Sequence, residues 1–187
     1  MIVRSLGSLS FLLLAACFDS SPPVAAIDSG PGDGLPTDGA CPDPADPLDG
    51  GLTTPTVSFA ADIVPVFQFS CAFTGSTCHG APGVGPMGRP FLAYADGGTD
   101  AAAVRQSLVG VASAEDPKMN LVTAGNLDES FLWQKVDNTM CKFAAECAAG
   151  GSAYPNCGQS MPFGNQALDP PTLTKIARWI AQGAPNN

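Results

Sequence analysis

The sequence predicts an all-α domain of about four short helices joined by long loops, with a disordered segment ahead of it. Three observations carry that expectation. No stretch sustains the apolar–polar alternation that a half-buried strand needs. Four segments instead carry helix start and stop chemistry. Breakers are abundant, with 21 glycines and 18 prolines in 187 residues, so the helices must be short and their connections long.

The helices follow in chain order. Pro65 opens the first, which runs toward Ser70; proline is tolerated in a first turn, and Val66, Phe67 and Phe69 supply apolar contacts. Asp100 caps the second, from Ala101 to Val109, with Ala103, Val104 and Leu108 facing inward and Gly110 ending it. Asp128 or Ser130 caps the third, through Phe131, Leu132, Lys135 and Val136. The last is the clearest. Asp169 is its N-cap, Pro170 and Pro171 fill its first turn, Leu173, Ile176, Ala177 and Ile180 form its apolar stripe, and Gly183 is its stop.

The N-terminal part reads as an address and a spacer. Arg4 and the apolar residues 6–14 form a stretch too short to span a bilayer. Leu14-Ala15-Ala16-Cys17 resembles the lipobox of bacterial lipoproteins. That resemblance implies a signal peptide over residues 1–16 and lipidation of Cys17. Phe18, with no aspartate at that position, implies the outer membrane. The alternative is ordinary secretory cleavage, with Cys17 lost or unmodified. Residues 17–55 read as an acidic tether, poor in large apolar groups. Asp19, Asp28, Asp33, Asp38, Asp43, Asp46 and Asp49 account for −7 of the formal −9. Residues 56–187, with ten acids and seven bases, form one mildly acidic domain. Such a charge excludes a nucleic-acid partner, which needs a basic face.

The chemistry lies in Cys78-His79-Gly80, which contains the only histidine, and in Met161-Pro162 downstream. A thiol beside an imidazole, followed by a distant thioether, is a ligand set for a covalently held, six-coordinate haem. With a single histidine and no nucleophile beside a base, no enzymatic reaction is expected. A zinc site needs reduced thiols in tight pairs, which an exported chain does not favour.

These pieces together resemble the c-type cytochromes, specifically lipoprotein-anchored domains with a widened cysteine spacing. Asp62-Ile63-Val64-Pro65-Val66-Phe67 looks like the helix leading into the haem site. Cys71, Cys78, His79 and Gly80 follow in a C-x6-C-H arrangement rather than C-x-x-C-H. Asn120-Leu121-Val122-Thr123-Ala124-Gly125-Asn126 and Ser130-Phe131-Leu132 look like the family's loop and helix. Ser160-Met161-Pro162 and the terminal helix through Trp179 complete the order.

The resemblance implies a cytochrome c-like fold with one haem c and electron transfer to a redox protein partner, the membrane being reached only through the lipid anchor. It implies His79 as the proximal ligand and Met161 as the sixth, with Met87, Met119 and Met140 as rivals. Pro82 offers a carbonyl to the other imidazole nitrogen. The six residues between Cys71 and Cys78 leave three outcomes open: both cysteines hold haem around a bulge, only Cys78 does, or the two form a disulfide. The last corresponds to a haem-less structural or binding lipoprotein of the same shape. If both hold haem, four cysteines remain, and one pair forms within Cys141, Cys147 and Cys157 while the third joins Cys41.

Overall fold

The structure, a computed structural model, describes residues 41, 51–72, 78–80, 90–94, 98–150, 157–163 and 167–187. The expected signal peptide over residues 1–16, the lipidation candidate Cys17 and residues 17–40 and 42–50 of the expected tether lie outside them. The described residues all belong to one compact unit, Asp33–Asn187.

Among the described residues the architecture is all-α, with pairing limited to isolated bridges such as Val109 with Val122 and Ala112 with Asn120. A π-helical turn, Phe59–Ile63, runs directly into α1, Val64–Ser70. Then come α2 (Ala101–Gln106), α3 (Phe131–Val136), a 3-10 turn (Met140–Phe143), α4 (Ala144–Ala149) and α5 (Pro170–Ala181). None of these helices is long and apolar enough to cross a membrane.

The first helical segment begins earlier than Pro65 because Ser58 caps it. Ser58 Oγ accepts from Ala61 N at 3.2 Å while Asp62 Oδ2 accepts from Ser58 N at 2.9 Å, a reciprocal arrangement like a capping box. Two further orphan amides are met by Asn187: its Oδ1 accepts from Phe59 N at 2.9 Å and its backbone oxygen from Ala60 N at 3.0 Å. The other caps are local. Asp100 accepts from Ala102 N and Ala103 N, and Asp169 accepts from Thr172 N. At α3 the N-cap position belongs to Ser130, but its hydroxyl is diverted, donating to Asn126 O at 2.6 Å and accepting from Thr123 N at 2.9 Å.

Four further details depart from the sequence expectation. The second helix ends at Gln106 and continues as a turn, with Gly110 at φ +74° beyond it. Val104 and Leu108 point into the core, but Ala103 is exposed. Phe69, expected to pack, is 74% exposed, because α1 turns Ile63, Val64 and Phe67 toward its neighbours instead. α4 was not expected at all, although its Ala-rich sequence is a good helix former.

The core forms where the first helical segment meets α5. Phe59 stacks on Trp179 at 4.7 Å between ring centroids and meets Phe67 edge-on at 6.3 Å. Leu173, Ile176, Ala177 and Ile180 of α5 are buried as the stripe predicted, and Trp179 is buried with them, its Nε1 donating to Pro185 O at 3.0 Å. Each large side chain of this kind contributes about 1.5–3 kcal/mol of burial. α5 also packs on α3, every residue of which is buried.

Two disulfides hold the periphery. Cys41 pairs with Cys141 and Cys147 with Cys157, one of the three pairings that the expected pattern of one pair within Cys141, Cys147 and Cys157 left open. Residues 51–55, placed by the sequence at the end of the tether, are fixed to α5. Arg178 Nε donates to Gly51 O at 3.0 Å, and Gln182 Nε2 donates to Leu52 O and Pro55 O.

Candidate functional site

Cys71 is the C-cap of α1, its amide donating to Phe67 O at 2.9 Å. His79 N donates to Cys71 O at 3.3 Å. The end of α1 and the Cys78-His79 pair are therefore side by side despite the six intervening residues, of which 73–77 lie outside the described set. Neither cysteine is in a disulfide. Of the three outcomes left open by the spacing, the Cys71–Cys78 disulfide is the one not formed in this structure. Gly80, next to His79, is buried.

The Cys78 thiol bears on Cys71. Cys71 is half-buried as a residue, but its sulfur is enclosed. Desolvation, helped by the Cys78 thiol nearby, pushes its pKa from 9.0 up to about 12. Cys71 thus remains a neutral thiol across physiological pH and is a poor nucleophile and a poor metal thiolate.

His79 is held on three sides. Its amide meets Cys71, its carbonyl accepts from Leu92 N at 3.1 Å, and its ring Nδ1 lies 2.8 Å from Pro90 O. A carbonyl can only accept, so Nδ1 carries a proton, and in the neutral ring Nε2 then bears the lone pair. The segment that provides this carbonyl is itself anchored: Leu92 and Ala93 are buried, and Ser107 Oγ donates to Phe91 O at 2.8 Å. The sequence points to the carbonyl of Pro82, which lies outside the described residues; the prolyl carbonyl that His79 meets is that of Pro90.

Met161 lies half-buried in the segment after Cys157, its amide donating to Lys135 O at 2.9 Å. Its rivals have other duties. Met119 and Met140 are packed with Phe131, Cys147 and Cys157 in a second apolar cluster, the ordinary fate of a methionine beside aromatic rings. Met87 lies outside the described residues.

A cleft of about 540 Å³ opens between α1 and the start of α5. Val66, Phe69, Pro162 and Leu168 give it apolar walls, and Asp62, Asp169 and Lys175 a polar rim. Cys71, Cys78, His79 and Met161 do not line it, but the neighbours Ser70 and Pro162 do. No group of three or more His, Cys, Asp or Glu side chains gathers as a metal site among the described residues.

Lys135 is the feature that sequence reasoning missed. It was read only as part of α3. Its ammonium is buried, donating to Glu115 Oε2 at 2.8 Å and to Cys157 O at 2.7 Å. Burial lowers its pKa, and the hydrogen bond and charge of Glu115 work the other way. A lysine in a helix whose preceding turn holds Phe131, Leu132 and Trp133 was the available signal.

Donor chemistry fits a covalently held haem: two unpaired thiols at one helix end, an imidazole oriented through Nδ1, and a thioether not committed to the core. Comparison with family models, curated proteins and solved structures returned no match.

Proposed function

We propose that this chain is a monohaem electron-transfer lipoprotein of the bacterial cell envelope, with a cytochrome c-like domain, lipidated at Cys17 and serving a redox protein partner. The observation that carries the reading is the convergence of Cys71, Cys78 and His79 at the end of α1, with both thiols unpaired while four other cysteines form two disulfides. In an exported chain, two neighbouring unpaired thiols call for a chemical reason.

When bound, haem supplies one-electron exchange at iron. The residues do the rest. Cys71 and Cys78 would hold it through thioether links to its vinyl groups, which would retain the cofactor without a free pool. His79 donates its Nε2 lone pair, and the Pro90 carbonyl on Nδ1 orients the ring and raises its basicity. Met161 offers a soft thioether, which favours reduced iron and raises the potential.

The test is the reduced-minus-oxidised spectrum of protein made in a host with a haem-attachment system, paired with a denaturing gel stained for haem. A sharp band near 550 nm, the family's expectation for haem c, and a stained band are the expected result. A colourless, folded protein with titratable thiols at Cys71 and Cys78 would overturn the reading in favour of a haem-less binding lipoprotein.

A further inference from the structure

Residues 157–161 are attached to α3 through one side chain and one carbonyl of the same residue. Lys135 Nζ donates to Cys157 O at 2.7 Å, and Lys135 O accepts the Met161 amide at 2.9 Å. Both ends of the five-residue stretch therefore rest on Lys135. Its ammonium is kept in place by Glu115 at 2.8 Å, in a pair whose side chains are 7% and 26% exposed. Cys157 is also tied covalently to Cys147 in α4.

The backbone is bent to make this attachment. Cys157 and Gly158 both adopt the left-handed region, with φ of +60° and +71°. A Cβ added at Gly158 would sit 3.2 Å from Lys135 Nζ and 3.4 Å from Glu115 Oε2. Glycine at 158 thus has two reasons: its φ, and the approach of the ammonium. A buried ammonium costs several kcal/mol of desolvation unless paired and hydrogen-bonded. Spending it to hold a carbonyl four residues before Met161 is hard to account for by core stability, which an apolar residue would serve as well.

We infer that Lys135, held by Glu115, is a positioning residue that sets where Met161 presents its thioether; this rests on the haem reading above. The lysine touches no reacting atom. It determines how firmly the Met161 segment is held, and hence how readily an external ligand displaces the thioether from iron.

The experiment compares wild type with Lys135→Met and Gly158→Ala. Hydrogen exchange of the peptide covering residues 157–163 is read in each, together with the rate at which imidazole binds the oxidised haem protein. Haem content is scored separately on the stained gel. Expected are full haem content, exchange at least tenfold faster in residues 157–163 but unchanged in α5, and imidazole binding at least tenfold faster. Gly158→Ala leaves the lysine intact, so it carries the test if Lys135→Met fails to fold. Haem-loaded variants with wild-type exchange and wild-type imidazole binding would overturn the positioning role. Faster exchange with unchanged imidazole binding would overturn it as well, because the lysine would then brace the loop without affecting the ligand. A wild type with no haem sinks the underlying reading instead, and the empty gel lane tells that failure apart.

Discussion

His79 Nδ1 lies 2.8 Å from the carbonyl oxygen of Pro90, eleven residues further along the chain. This one contact decides the tautomer of the only histidine and aims Nε2 away from the Pro90 segment. His79→Ala should abolish covalent haem altogether, as read by haem staining and by the 550 nm band. A variant retaining its full haem complement would refute the ligand assignment.

Met161→Ala should leave haem attached but lower its reduction potential. The drop should reach tens of millivolts or more, within the roughly 0.8 V range that axial ligands control. Potentiometric titration measures it, and the 695 nm absorption expected of a methionine–ferric iron bond should vanish. Persistence of that absorption would assign the bond to another methionine.

The two disulfides should differ in their contribution to stability. Cys41–Cys141 closes a sequence separation of 100 and Cys147–Cys157 one of 10. By loop entropy the long one contributes about 2 kcal/mol more. Replacing Cys41 and Cys141 with alanine should therefore lower the urea midpoint more than replacing Cys147 and Cys157. An equal or reversed order would show that local packing of the second cluster outweighs chain entropy.

Phe59→Ala should destabilise the domain by about 3–5 kcal/mol, because the ring is fully buried between Trp179 and Phe67. Equilibrium unfolding checks this; a loss under about 1 kcal/mol would mean that the first helical segment and α5 are not the core of the fold.

In haem-free protein Cys71 should resist alkylation. With its pKa near 12 rather than 9.0, its thiolate population at pH 8 falls by roughly a thousandfold. The linkage has a definite sign. The unfolded thiol ionises from pH 9.0 and the folded one only near 12, so this group's stabilising contribution is intact below 9.0 and is lost as pH rises toward 12. Iodoacetamide labelling read by mass spectrometry, and urea midpoints of wild type against Cys71→Ala across that range, test both statements. Rapid labelling of Cys71 at pH 8 would mean that its sulfur is not enclosed.

The elements legible in the sequence are those whose causes are local. Asp100 and Asp169 bond amides two or three residues away, so their helices could be placed from neighbouring letters alone. The α5 stripe of Leu173, Ile176, Ala177 and Ile180 is a matter of helical period, and its burial followed. The four cysteines other than Cys71 and Cys78 could be set apart in the sequence, but only the fold chose Cys41–Cys141 and Cys147–Cys157 among their possible pairs.

By itself, then, the sequence determined that the domain is helical, where α2 and α5 start, and which residue types are available for a cofactor. The tertiary structure alone decided which groups serve them. The Asn187 cap on Phe59 spans 128 residues, and the grip of Lys135 on Cys157 spans 22. Phe69 ended in solvent and Trp179 in the core because the packing of the Phe59–Ile63 turn on α5 chooses which apolar residues are covered. The physical reason is the same throughout. A cap or an amphipathic stripe is satisfied within one or two helical turns, whereas a carbonyl partner or a buried ammonium is satisfied only by whatever the folded chain brings within 3 Å or so.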